Sequence, residues 1–412
     1  MDLEKIYIEG AKLFKERRYE EAIAIYTPAA EDGDAKSEYE LGSCLSCIED
    51  LEKEANDPLY VKWYKKAATH GYAPAMYQLG LHYCYGINHD YKTAADWFRK
   101  AAEFGDTDAQ YWLAYCYETG TGVEYDPKES FKWLCKAVED GKASHMSKLA
   151  FAYYFGFGCK RDYAKSVEWY KKAAQMNDPR STYWLGLHYY NGEGVEQDWK
   201  MAFNLFNKAK DYGYKASMII GDCYLYGRGV DKDIDKGIEW YFKAIEEEKD
   251  YASIRNLADI YRYGLADVPC NYEEAIKLYT KAATEYYDEV AMYELGLCYT
   301  YGIGVLENIS IAVSYFRQAS RCNHKESFHE LGTCYLLGTG VKKNPAIATR
   351  CYRKAAKLGY APSMYSLAIC YFDGNGVVAN RKKAMYWLEQ YMKEYELSDY
   401  QKQELQTRGV EY

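Results

Sequence analysis

An all-α solenoid of about eleven helix-turn-helix repeats, closed by a C-terminal capping helix, is predicted by three observations. A large aliphatic residue followed by glycine or alanine recurs as Leu41-Gly42, Leu79-Gly80, Leu113-Ala114, Leu149-Ala150, Leu185-Gly186, Ile220-Gly221, Leu257-Ala258, Leu295-Gly296, Leu331-Gly332 and Leu367-Ala368, at gaps of 34 to 38 residues. Seven Gly-x-Gly turns recur in phase with that step, and an Asp or Asn follows each of them. A period of this length marks stacked two-helix units, because one hairpin alone cannot bury its apolar face.

Residues 1 to 34 open the chain with a tetratricopeptide-type hairpin in which Gly10 and Ala22 stand twelve apart across a short turn at Arg17-Arg18. The turn lacks Gly-x-Gly, so this unit is expected to be a divergent cap. In residues 35 to 71 the glycine turn gives way to the acidic stretch IEDLEKEANDP, expected as a surface loop. Units from Pro74 to Tyr395 carry the full pattern, with glycine pairs at 120/122, 156/158, 192/194, 227/229, 302/304, 338/340 and 374/376. The first glycine of each pair is suited to a left-handed C-cap, and the second permits reversal into the next helix. Asp126, Asp162, Asp198, Asp233, Asn308, Asn344 and Asn380 then fall at the N-cap, where such side chains contribute about 1 kcal/mol each. Two units depart from the rule, at Gly86-Ile87-Asn88 and at Gly264 to Cys270. Residues 396 to 412 end the chain: Ser398 and Gln401 have capping-box spacing, and a helix from about Asp399 to Arg408, stopped by Gly409, is expected to cover the last repeat.

Within each first helix the Leu is predicted to fill the hairpin core, and the next residue to face its neighbour so closely that only hydrogen or methyl fits. In the second helices the pairs Trp97-Phe98, Trp133-Leu134, Trp169-Tyr170, Trp240-Tyr241, Tyr315-Phe316 and Trp387-Leu388 are expected to plug between repeats. The pattern A-x-x-x-LG-x-x-Y-x-x-G-x-GV-x-x-D-x-x-KA-x-x-W(Y/F)-x-KAA-x-x-G, followed closely over residues 108 to 141, 179 to 213 and 361 to 395, resembles the Sel-1-like repeat family. The likeness spans about residues 35 to 395. It implies a right-handed α-solenoid whose first helices line an inner face, and an adaptor or scaffold for protein complexes in place of an enzyme.

Composition excludes several classes. Apolar content of 49% supplies ample core, so disorder is not expected. The opening MDLEKIYIEG is acidic and amphipathic, unlike a secretory leader, and no apolar run reaches membrane length, so a cytoplasmic protein is expected. The thirteen cysteines are odd in number and concentrate in one repeat slot: Cys44, Cys116, Cys223, Cys298, Cys334 and Cys370 stand two after the Gly/Ala, where His82 and His188 also occur. A slot that accepts both is a packing niche; Cys44-Leu45-Ser46-Cys47 has no second C-x-x-C to complete a zinc site. Gly-x-Gly recurs between helices and so is a turn, not a phosphate loop. Neither Ser-x-x-Lys nor His-Glu-x-x-His occurs. No catalytic, cofactor or metal residue is therefore assigned, and no small-molecule substrate is expected.

Binding residues are sought among the 48 tyrosines. Two residues before the Leu stand Tyr39, Tyr77, Tyr111, Tyr183, Tyr293 and Tyr365, with Tyr7 in the same place by the Gly10 register; five after the Gly/Ala stand Tyr85, Phe155, Tyr226, Tyr263 and Tyr301. By analogy with tetratricopeptide grooves both rows would face inward and grip a partner segment, while packing is a compatible role for the first row. Arg180, Arg255, Arg262, Lys215 and His329 are candidate anchors for an acidic group, with Asp222 and Asp259 as internal neutralisers. Net charge is uneven: Val313 to Lys393 carries +9, whereas residues 1 to 312 carry -15. The basic residues fall mostly on second helices and turns, which predicts a solvated outer face and makes nucleic acid an unexpected partner. The predicted function is a scaffold docking a protein or peptide ligand in an aromatic groove, its direction set by the charge asymmetry. The alternative is an architectural subunit that assembles through its ends or convex face, with the basic C-terminal third contacting an anionic partner.

Overall fold

The computed structural model describes residues 2–48, 58–86 and 89–410, and every regular element among them is helical. Most of the acidic stretch expected as a loop, residues 49–57, and Ile87-Asn88 of the short turn lie outside the described residues. The helices fall into two units, residues 1–214 and 215–412.

The first unit pairs α1 (Leu3–Lys15) with α2 (Tyr19–Glu31), α3 (Ala35–Ile48) with α4 (Leu59–Thr69), α5 (Ala73–Tyr85) with α6 (Tyr91–Glu103), α7 (Thr107–Thr119) with α8 (Pro127–Ala137), α9 (Ala143–Phe155) with α10 (Tyr163–Gln175), and α11 (Pro179–Asn191) with α12 (Trp199–Asp211). The second pairs α13 (Ser217–Tyr226) with α14 (Ile234–Glu246), α15 (Ala252–Tyr263) with α16 (Tyr272–Glu285), α17 (Glu289–Tyr301) with α18 (Ile309–Arg321), α19 (Lys325–Leu337) with α20 (Pro345–Lys357), and α21 (Ala361–Asp373) with α22 (Arg381–Met392), and ends in α23 (Asp399–Gln406). Within each unit a helix packs chiefly on the helices before and after it in the chain.

The turn grammar holds in detail. Gly120, Gly156, Gly192, Gly227, Gly302, Gly338 and Gly374 are left-handed C-caps. All seven expected Asp and Asn caps accept backbone N–H bonds from the first turn of the following helix. The second glycine does more than permit reversal. A Cβ on Gly122, Gly158 or Gly376 would lie 1.9, 1.9 and 2.0 Å from the carbonyl oxygens of Tyr91, Pro127 and Pro345, so the turn rests on the first helical turn of the preceding hairpin's second helix.

The small residue after the Leu meets an aromatic of its own hairpin. A Cβ on Gly186 would stand 2.7 Å from the Phe206 ring, and the same contact recurs for Gly80 with Phe98, Gly296 with Phe316 and Gly332 with Tyr352. The expectation that these aromatics plug between repeats holds in part: Phe98 and Tyr170 stack on Trp112 and Trp184 of the next hairpin, and the second aromatic of a pair also fills its own hairpin, where the missing side chain leaves room for a ring. The first member lies half-buried, and Trp97, Trp133, Trp169 and Trp240 each carry the lysine three residues on over the ring, as in Trp97 with Lys100 at 4.2 Å and Trp169 with Lys172 at 4.1 Å. In the divergent first hairpin Gly10 takes Tyr26, only sixteen residues away against twenty for Gly186 and Phe206, so the contact survives a shorter turn.

The last helix is two residues shorter than expected, Asp399–Gln406, and Ser398 and Gln401 form the capping box. Leu405 and Val410 bury against Leu388 and Tyr391, and Arg408 clasps Asp373 at 2.7 and 2.8 Å, which closes the final repeat.

Candidate interaction surface

The two aromatic rows separate by environment. The row two before the Leu is half-buried and engaged within the chain. Tyr39 stacks with Tyr64, Tyr77 packs on Phe98, Tyr111 lies on the His145 ring at 4.8 Å, Tyr183 meets Phe206 and Tyr214, and Tyr293 meets Phe316 and His324. Tyr7 donates to Asp34 at 2.7 Å and Tyr365 donates to Glu404 at 2.5 Å. These rings tie one hairpin to the next.

Side chains five after the Gly/Ala are exposed: Tyr85 by 64%, Phe155 by 48%, Tyr226 by 42%, Tyr263 by 52% and Tyr301 by 67%. Each is the last helical residue before its turn, so the C-cap glycine fixes its position. Leu337, 62% exposed, fills the same slot of α19; a search restricted to aromatics passes over it.

A third tyrosine row, the Y of the LG-x-x-Y step, is given no role by sequence reading. Tyr117, Tyr153, Tyr189, Tyr224, Tyr261, Tyr299, Tyr335 and Tyr371 stand three after the Gly/Ala, and the carbonyl of each accepts the backbone N–H of the next N-cap residue, at 2.8 to 3.0 Å. Their hydroxyls serve the second helix, as where Arg317 and Arg353 donate to Tyr335 and Tyr371 at 3.1 Å. Much of the tyrosine excess is therefore structural; the signal was the fixed spacing.

On the first helices of residues 1–214 the exposed rings extend into clusters. Tyr85, Trp112 and Tyr115 form one, with centroids 5.8 and 5.7 Å apart. Phe151, Phe155, Tyr154 and Trp184 form another on α9 and α11, with centroids 4.5 to 6.0 Å apart. Cations flank the second cluster: Lys148 pairs with Glu118 at 2.7 Å, and the exposed Arg180 lies over Phe151 at 6.0 Å. Burial and the bond that Tyr154 donates to Glu193 push the Tyr154 hydroxyl up to about 12.

Residues 215–412 place carboxylates at comparable positions. Asp222 accepts from Tyr241 at 2.6 Å, Asp259 from Tyr279 at 2.5 Å, and Glu294 pairs with Arg262 and accepts from Tyr263 at 3.1 Å. Burial raises the carboxyls of Asp222, Asp259, Glu294 and Glu330 above the usual range. Arg262 is only 7% exposed and its charge is met by Glu294, a partner that sequence reading missed. Arg255 faces Asp288 at 3.7 Å, Lys215 is exposed, and His329 is held by Ser363 at 2.9 Å with its imidazole pushed down by burial. Asp222 and Asp259, expected to neutralise these cations, are engaged by tyrosine hydroxyls, and Arg255 and Arg262 also act on Asp259.

Groups able to do other chemistry have structural occupations. The six slot cysteines are buried, and burial pushes the Cys44, Cys116 and Cys223 thiols up to about 12, far from a reactive thiolate. His188 in the same slot bridges Ser166 at 3.0 Å and the Glu193 carbonyl at 2.7 Å. Asp108, Asp140 and His145 converge as a metal-like set, but the Lys142 ammonium sits 2.6 Å from both Asp108 oxygens and 3.3 Å from Asp140, supplying the cation that this pair needs. Among the described residues no helix is long and apolar enough to cross a membrane.

Comparison with known proteins agrees with this architecture. None of the curated proteins matches the chain in sequence. The crystal structure of c5321, a protective antigen of uropathogenic Escherichia coli strains displaying an SLR fold, is similar at 30% identity over 94% of this chain and 93% of that one, with a TM-score of 0.51. A Sel1 repeat protein from Oxalobacter formigenes is similar at 26% identity over 76% of this chain and 94% of its own, with a TM-score of 0.58. The Sel1 repeat model matches ten times, at 35–72, 73–106, 107–142, 146–178, 179–214, 215–248, 252–287, 290–324, 329–360 and 361–390. With its glycine turns, capped second helices and small-residue contacts in the same register, the chain belongs to the Sel1 repeat family.

Proposed function

We propose that this protein is a non-catalytic interaction scaffold that docks a protein segment against the aromatic face of its first helices. The reading rests on one observation: large rings at the same repeat slot, Tyr85, Phe155, Tyr226, Tyr263 and Tyr301, stay exposed, whereas the tyrosines two before the Leu are half-buried and engaged within the chain. Recurrent exposure of apolar area in one register is what a binding face requires and core packing does not. Residues 1–34 and 396–412 act in this reading as the end units of a repeat array over 35–395, and the buried thiol slots suit a cytoplasmic setting.

The test uses the exposed row, because truncating Tyr111 or Tyr183 would also break contacts between hairpins. Partners are first identified from the native cell by tagged pull-down and mass spectrometry. Phe155→Ala with Tyr301→Ala is expected to abolish capture of the purified partner while the melting temperature stays within about 2 °C of the parent, as expected for exposed side chains. Undiminished capture would instead favour assembly through the ends or the outer face.

A further inference from the structure

We infer that the α9–α11 face selects a peptide in which a carboxylate stands within one or two residues of a large apolar side chain; the inference rests on the scaffold reading above and names the partner's chemistry. Phe151, Phe155 and Trp184 make a contiguous ring surface, with Phe155 48% exposed. Such a surface gains by covering a Phe, Trp or Leu side chain.

The charge beside it sets the second requirement. Arg180 is exposed and lies over the Phe151 ring at 6.0 Å; among the described residues no carboxylate pairs with it. An exposed guanidinium beside a ring keeps its donor fork available, which suits a bidentate carboxylate. The other polar groups at this face are already matched inside the chain: Lys148 by Glu118, and the Tyr154 hydroxyl by Glu193. One unmatched cation next to stacked rings fits a single acid beside an apolar residue. A polynucleotide, with a charge on every unit, would call for a run of free cations, and here the second cation is taken.

The test pans the full chain against a random dodecapeptide display library, then measures one enriched peptide, blocked at both ends, by fluorescence anisotropy. Enriched sequences are expected to carry Asp or Glu within two positions of Phe, Trp or Leu. Arg180→Glu is expected to weaken binding about tenfold or more, and a peptide with Lys in place of its acid is expected to recover affinity on that variant, a charge swap that misfolding cannot mimic. Phe155→Ala is expected to weaken binding with the melting temperature unchanged. The inference is overturned if Arg180→Glu binds within twofold of the parent, if no peptide is enriched, or if a twelve-nucleotide oligouridine binds through Arg180 more tightly than any peptide. Peptides indifferent to Arg180 and Phe155 but lost on Tyr263→Ala or Tyr301→Ala would sink this inference and leave the scaffold reading standing; indifference to all four positions would remove both.

Discussion

The first helices of residues 1–214 and of residues 215–412 share one lattice and present different chemistry. Immediately before the Leu-Gly step the first set carries Glu40, Gln78, Trp112, Lys148 and Trp184, where the second carries Ile219, Asn256, Glu294, Glu330 and Ser366, so the rings are confined to the first set. Immediately after it, Ser43, Leu81, Tyr115, Phe151 and Leu187 stand against Asp222, Asp259, Leu297, Thr333 and Ile369. The small residue, its aromatic partner, the glycine turn and the cap are the same in both. Repeat proteins can separate in this way what holds hairpins together from what they show to a partner, because neighbouring positions on one helix answer to different surroundings. Bulk charge conceals the difference: the region around the acidic face of residues 215–412 is rich in Lys and Arg, but residues such as Arg317, Arg350 and Lys382 are exposed on second helices. The expected polarity, acidic early and basic late, therefore describes the chain as a whole and not its first-helix face.

The sharpest check on the shared lattice is to break it in both places. Gly186→Leu and Gly296→Leu each drive a side chain into a ring that a single Cβ would already approach to 2.7 and 2.4 Å, and each is expected to cost more than about 3 kcal/mol, since the blocking atoms belong to fully buried phenylalanines. Ala114 faces Leu134 in the register where Gly186 faces Phe206. Gly186→Ala should consequently cost about 1–3 kcal/mol alone and much less when combined with Phe206→Leu. Additive losses in that double-mutant cycle, measured by denaturant unfolding, would show that the glycine is required for some other reason.

A second contrast concerns the two arginines singled out by sequence. Arg262 is buried against Glu294, whereas Arg180 is exposed on a ring. Glu294→Ala leaves a buried cation without its partner and is expected to cost about 3 kcal/mol, while Arg180→Ala is expected to stay within about 0.5 kcal/mol. Similar effects at the two sites, in thermal or urea unfolding, would mean that the faces are not distinguished by burial.

Sequence periodicity made the architecture readable almost residue by residue, because Leu-Gly, Gly-x-Gly and the Asp or Asn cap each act within a few positions of themselves. What it could not give was pairing between repeats. Glu294 lies 32 residues from Arg262, and nothing in the spacing of Arg262 reveals whether the guanidinium meets solvent or a carboxylate. The aromatic rows show the same limit: Tyr183 and Phe155 look alike as register positions, yet Tyr214 covers the first and the second is exposed. Family resemblance supplied the expectation that first helices line an inner face; it did not say which rings on those helices remain exposed.

The smallest effect tests why the carboxylate face tolerates its own charge. Burial holds the Asp222, Asp259, Glu294 and Glu330 carboxyls above the ordinary value of about 4, so between that pH and their raised values the folded chain keeps protons that the unfolded chain has released. Their contribution to stability is therefore fully present below about pH 4 and declines as pH rises through the folded values. Other groups titrate with the opposite sign, Asp34 and Asp140 among them, so the pH profile of the parent protein alone cannot isolate this face. Glu330→Gln can: burial is the sole resolved influence on that carboxyl, and an amide of the same shape cannot ionise. The variant is expected to melt about 2 °C above the parent at pH 7 and level with it at pH 4, since about 1 kcal/mol moves a domain of this size by that amount. A melting temperature equal to or below the parent's at pH 7 would mean that the ionised Glu330 is stabilised where it stands, and that the contrast between the two faces is one of composition without a cost in folding.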